Sequence, residues 1–334
     1  MTRSPSLPST GLALLALSTL AIALPLFETL GEGATFFVVH NAKSIDIWAF
    51  SARIFLVPAL LLSLLVAFTQ LISPALGRNC AALLVGVLAA LWALGFLRTL
   101  PAAGALACAI AVGLVFSWFY RRSAAFQSFL QLMGWISPLA LISFLQFSAA
   151  GKLLDTTANV ETGMAAPSDT PVVMLVLDEL SQAVISTTDG NIDAGRLPNF
   201  ARLAAMSTWY SNTTTVSSQT ERAIASILSG MHTQVETAPI YTQFPQNIFT
   251  VMAASHSVHA TETVSRLCPD AICQAEAQEV DRSFDRAAMY ADIRIIFWHS
   301  VLPAPIAAQW LPPISSSWKG FTAATPANNA EASE

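Results

Sequence analysis

Apolar residues gather in five long blocks before residue 150, after which the pattern changes. The blocks run roughly over 11–30, 50–73, 79–98, 102–120 and 127–149. Each is about 19–24 residues long, and a helix needs about 20 to cross a bilayer. The pattern therefore predicts a multi-span helical membrane region over 1–150. The first block is long for the apolar part of a signal peptide and four more blocks follow it, so it reads as an anchor.

Beyond the last block the periodicity shortens. Residues 151–170 are rich in Thr, Ala, Ser and Pro and read as a linker. "PVVMLVLDEL" at 171–180 is a continuous run of large and β-branched residues, the pattern of a strand buried on both faces of a parallel sheet. "RLPNFARLAA" predicts a short helix opening at the proline, and "TWYSNTTTV" predicts a strand. "ERAIASILSG" predicts a helix with Ile224, Ile227 and Leu228 on one face and Gly230 closing it.

Composition supports this division. The chain is 54% hydrophobic and only 11% charged, with a mean hydropathy of +0.56, against about 25% charged in an ordinary soluble domain. Residues 1–150 carry 3 acidic and 7 basic side chains, and 151–334 carry 18 and 9. A basic membrane part is thus followed by an acidic, water-soluble part, and neither has the basic stripe of a nucleic-acid binder. With the N-terminus and Arg3 inside, Arg78, Arg121 and Arg122 also fall on inner loops, whereas Lys43, Arg98 and Lys152 fall outside. The positive-inside rule and five spans then place 151–334 outside the cytoplasm. Apart from Glu28, Arg53 and Arg98 near their ends, the spans hold no charged residue that would mark an ion pathway, which argues against a transporter.

Several positions could carry chemistry. Asp178 and Glu179 end the predicted strand, where open α/β sheets bind ligands. They read either as cation ligands or, for Asp178, as an N-cap at the start of the next segment. Thr220 lies at or beside a helix N-terminus, a place that suits a phosphate or sulfate oxygen, although a hydroxyl there also caps helices. Cys268 and Cys273 in "RLCPDAIC" have no further Cys or His nearby and read as a local disulfide of an exported domain. His256 and His259 are spaced to share a helix face as ligands. His299 in "IIFWHSVLP" reads as a satisfied core histidine, and His40 as a surface one.

Taken in order, these pieces resemble the N-terminal half of the sulfatase and alkaline-phosphatase-like hydrolases, in particular the membrane-anchored kind that includes lipoteichoic acid synthase and the phosphoethanolamine transferases. "VMLVLDEL" looks like the family's first metal-binding strand, "RLPNFARLA" like its Pro-Asn helix, and Thr220 stands at its nucleophile position, ten residues before Gly230. The resemblance covers roughly 170–320. It implies an α/β domain over 171–334, with Asp178, Glu179 and Thr220 as metal ligands and Thr220 as nucleophile. It also implies a divalent cation (Zn, Mn, Ca or Mg) and a phosphate- or sulfate-ester substrate. Thr in place of Cys or Ser departs from the true sulfatases and agrees with the transferases. The family completes its metal site with a downstream Asp-His pair, and this sequence contains none. The α/β domain is therefore expected to be C-terminally truncated, and the 334-residue chain alone to hydrolyse aryl esters at no more than background rate. The alternative is a catalytically incomplete membrane protein with an anchoring or interaction role.

Overall fold

The computed structural model describes residues 6–155, 170–177, 180–233, 237–273 and 284–314. Five helices are long and apolar enough to cross a membrane: α1 (Leu7–Glu32), α3 (Ser44–Ile72), α4 (Pro74–Phe96), α5 (Ala102–Arg122) and α6 (Ala124–Phe147). A short helix, α2 (Ala34–Val39), lies between the first two spans. The chain is a multi-pass membrane protein by this architecture, and the five predicted blocks coincide with the five spans.

Two of the turns between spans are a single residue long. Ser73 accepts a hydrogen bond from the Ala75 N–H at 3.3 Å to open α4, and Ser123 accepts from Phe126 N–H at 3.2 Å to open α6. A serine hydroxyl is the group that satisfies these otherwise orphaned amides, and Pro74 takes the first helical position, where no N–H is needed. Such short links force α3–α4 and α5–α6 into antiparallel neighbours.

The first span is the centre of the bundle. Its most apolar window is 61% buried, against 17% for α3 and α5, whose remaining apolar surface faces outward. The span is not uniform: Thr19–Ala23 winds as a π-turn just before Pro25. Proline has no N–H to give to the carbonyl four residues back, and a wider turn is one way to absorb that gap. Helices α4 and α5 approach most closely where Gly86 faces Gly113.

One end of the bundle is closed by an aromatic core. Phe27 of α1 stacks on Phe144 of α6 at 4.6 Å, and Phe37 and Phe50 pack around them. The later part of the chain packs on this same end. Met289, Ile293 and Ile296 of a helix over Arg286–Val301 join that core. The Arg266 guanidinium donates to the carbonyls of Ala42 at 3.0 Å and Val38 at 3.2 Å. The amide of Ala304, which begins a helix over Ala304–Trp310, donates to the Arg98 carbonyl at 3.1 Å.

The expected α/β sheet is a correction. Among the described residues there is no named strand, only isolated bridges at Ser186–Ile192 and Ile240–Arg266. Residues 170–177 run without regular structure, and Val173 and Leu175 are 92% and 78% exposed. A strand buried on both faces needs strand partners for its amides and helices over its faces, and no described residue supplies either. "TWYSNTTTV" is likewise irregular. The two expected helices do form: α7 spans Pro198–Ala205 and α8 spans Thr220–Ser229. Gly230 closes α8 in the left-handed region at φ 71°, with its N–H on the Ser226 carbonyl at 2.8 Å, a conformation that suits glycine. The helices over Arg286–Val301 and Ala304–Trp310 are α9 and α10.

Candidate functional site

Thr220 is the first residue of α8. Gln219 takes the capping position, and its side chain makes no capping bond. Thr220 is thus the first residue inside the helix, one position after its N-cap. The approach is set by Ser217, whose Oγ accepts from the Gln219 N–H at 3.1 Å. The helix packs through Ala225 and Leu228 against Phe244 and Leu267. Ile224 and Ile227, expected on the packed face, instead border a cavity.

That cavity holds about 1260 Å³. Thr220, Glu221 and Arg222 form one wall, and Val176, Leu177, Leu180 and Ser181 form another. Its third wall is the C-terminal end of the first span and the start of α2, with Thr29, Glu32 and Thr35. Asp178 and Glu179, the expected metal ligands, lie outside the described residues. Leu177 and Leu180, the described residues nearest to them in the chain, both line the cavity. The structure therefore brings the end of the 171–177 segment and the start of α8 to one recess beside the membrane region.

The donor set is oxygen-rich. Glu32, Glu221 and the hydroxyls of Ser181, Ser217 and Thr220 are the hard ligands that Mg, Ca and Mn prefer. Among the described residues no three His, Cys, Asp or Glu side chains come together as a metal site.

The histidines do not complete it. No helix runs through His256 and His259, so they share no helix face. His256 is engaged by the Ser255 hydroxyl at 2.8 Å and the Thr170 carbonyl at 3.1 Å. His299 is half-buried and bonded to the Pro312 carbonyl at 2.9 Å, as expected of a satisfied histidine. His40 corrects the expectation of a surface group: it is buried and bonded to Asp292.

Cys268 and Cys273 are bridged, with Cα atoms 6.0 Å apart, whereas Cys80 and Cys108 are free. Glu262 organises the segment before the bridge, its carboxylate accepting from the Ser265 hydroxyl and the Leu267 and Cys268 amides at 2.8–3.0 Å.

The membrane-side wall was not foreseen from sequence. Glu28 and Glu32 stand one helical turn apart at the end of an apolar helix. That spacing was the available sign that this end meets a polar space. No family model, curated protein or solved structure matches the chain.

Proposed function

We propose that the chain is a membrane-bound sulfatase-like hydrolase or phosphoryl/sulfuryl transferase acting outside the cytoplasm through Thr220. One observation supports this above the others: Thr220, Glu221 and Arg222 share a cavity with both described neighbours of the Asp178-Glu179 pair. In this reading Thr220 Oγ attacks the phosphorus or sulfur in line, the bond to the leaving oxygen breaks, and an ester forms on Thr220. Arg222 and the first amides of α8 favour the anionic oxygens of the substrate. Water or an acceptor hydroxyl then releases the group. Asp178, Glu179 and Thr220 would hold the divalent cation (Zn, Mn, Ca or Mg), which supplies charge neutralisation on the transferred group.

A second reading is a non-catalytic membrane protein with an anchoring or interaction role. The exposed, unladdered segment 172–177 favours it. Because the sequence has no Asp-His pair, steady turnover is a poor first readout, and capture of the covalent intermediate is better. The full chain in lipid nanodiscs, given an aryl phosphate or aryl sulfate with each of the four cations, is expected to carry a mass-shifted ester on the peptide containing Thr220. The adduct should vanish in Thr220→Ala and persist in Thr220→Ser. Absence of any Thr220-dependent adduct would establish the second reading.

The outside placement has its own test. An export-dependent phosphatase reporter fused after Gly163 is expected to be active, and a reporter that works only in the cytoplasm to be silent there. The reverse result would invert the topology.

A further inference from the structure

A different feature lies at the opposite end of the bundle from the aromatic core. From residue 47 to residue 154 the sequence contains no Asp or Glu at all, yet it holds Arg53, Arg78, Arg98, Arg121, Arg122 and Lys152. Three of these arginines lie toward one end of the α4–α5 pair. Gly86 of α4 lies against Gly113 of α5, and a Cβ on Gly86 would stand 2.8 Å from the Gly113 carbonyl oxygen. Arg78 and Arg121 each lie eight residues from that crossing, toward the same end of this antiparallel pair. At about 1.5 Å per residue both are about 12 Å from it, and so share one depth.

The arginines are held at a fixed level. Arg121 and Arg122 end α5 at a turn where Gln127 Nε2 donates to the Tyr120 carbonyl at 2.7 Å. Tyr120 is buried, and its hydroxyl meets Thr10 Oγ1 of the first span at 3.4 Å. Arg78, Arg121 and Arg122 are all exposed, and none of them has an ion-pair or hydrogen-bond partner among the described residues. Arg121 and Arg122 border an open recess of about 740 Å³, whose other walls are the exposed apolar side chains of Leu114, Val115 and Trp118.

This is a two-part surface. Arg121 and Arg122 share one recess with exposed apolar side chains of a membrane span, Trp118 among them, and indole rings favour the headgroup level. Diffuse retention of positive charge on the inner side requires neither the groove nor the shared depth. We propose that Arg121 and Arg122, with Arg78 at the same depth, form a binding site for an anionic phospholipid, its phosphate on the arginines and one acyl chain along Leu114, Val115 and Trp118. The arginine pair matches phosphate oxygens in geometry as well as in charge. A lipid bearing two phosphates can engage Arg78 as well.

The test is lipid retention by the full chain. The protein is extracted in detergent with equal amounts of phosphatidylcholine, phosphatidylglycerol and diphosphatidylglycerol, and the lipids that stay bound are counted by native mass spectrometry. The wild-type chain is expected to keep the two anionic lipids in preference. Basic side chains near such headgroups act roughly independently, so Arg121→Gln should lower retention about fivefold and the Arg121→Gln/Arg122→Gln pair about 25-fold. Arg98→Gln, at the other end of the same helix pair, should leave it unchanged. Inorganic phosphate at millimolar concentration should fail to displace the lipid. Equal retention by the double variant would overturn the site, and an equal loss in Arg98→Gln would reduce it to bulk charge. Displacement by inorganic phosphate would make it a free-anion site. Should the double variant fold poorly, the single Arg78→Gln variant is expected to lose about fivefold for diphosphatidylglycerol alone.

Discussion

Replacing His40 with leucine is expected to destabilise the folded chain by about 3–5 kcal/mol, because it removes the imidazole that meets the buried Asp292 carboxylate. His40 and Asp292 are 2% and 1% exposed, and the ring Nε2 lies 3.1 Å from Asp292 Oδ2. The other ring nitrogen lies 2.8 Å from the Phe36 carbonyl, an acceptor only, so Nδ1 must carry a proton. The ring is thus fixed in orientation, with Nε2 facing the Asp292 carboxylate. The pair joins the end of α2 to α9, 252 residues apart in the chain. It also lies beside the Arg266 bonds to the carbonyls of Val38 and Ala42. Loss of the imidazole should therefore loosen the whole later part of the chain from the end of the bundle. Asp292→Asn, which keeps a hydrogen-bonding group, should lose less than Asp292→Ala. The double variant His40→Leu/Asp292→Ala should lose clearly less than the His40→Leu and Asp292→Ala losses added together, since the two side chains contact each other. Unfolding in detergent, followed by tryptophan fluorescence, measures all four. Single losses below about 1 kcal/mol, the range of exposed ion pairs, would show that water reaches the pair.

That pair also marks where sequence reading stops. Whether a histidine in "FFVVHNAK" is at the surface depends on a residue 252 positions away, and no local pattern encodes that. The spans were legible because a bilayer sets a one-dimensional requirement, about 20 apolar residues in a row, which needs no partner to be recognised. Helix α8 was legible for the same reason, its start and its glycine stop being local. The segment 171–177 was not. Its residues have the composition of a central strand, but a strand exists only when other strands pair with it, and the described residues offer none. Thr220 lay between the two cases. Its place at the head of a helix was readable, whereas its shared cavity with Leu177, Leu180 and the end of the first span is a tertiary fact. Asp178 and Glu179 were readable as acids at the end of an apolar run, and they fall outside the described residues.

The second large effect concerns the glycines that let α4 and α5 touch. A Cβ on Gly113 would stand 2.6 Å from the Gly86 carbonyl oxygen and 3.0 Å from the Ala90 Cβ. The nearer atom, the Gly86 carbonyl oxygen, belongs to helix backbone, which cannot swing aside as a long side chain does, so the two helices must separate. Small residues at such a crossing are what allow close packing between helices in a membrane, where expulsion of water contributes no driving force. Separation would also open the packing of Val85 and Leu88 with α1 and of Leu94 with Ala105 and Ala109. Gly86→Leu and Gly113→Leu are each expected to destabilise by about 3 kcal/mol, at the upper end of overpacking effects. Gly104→Leu is the control on the same helix as Gly113: a Cβ there meets nothing within 4 Å, and its effect should stay within about 0.5 kcal/mol. The crossing also sets the register that brings Arg78 and Arg121 to one depth, so Gly113→Leu should weaken retention of diphosphatidylglycerol although it alters no charge. Thermal unfolding and lipid retention measured on the same preparations separate the possibilities. If Gly113→Leu leaves both at wild-type values, the two spans do not touch at these glycines; if it lowers stability and spares retention, the arginine site does not depend on the register of the pair.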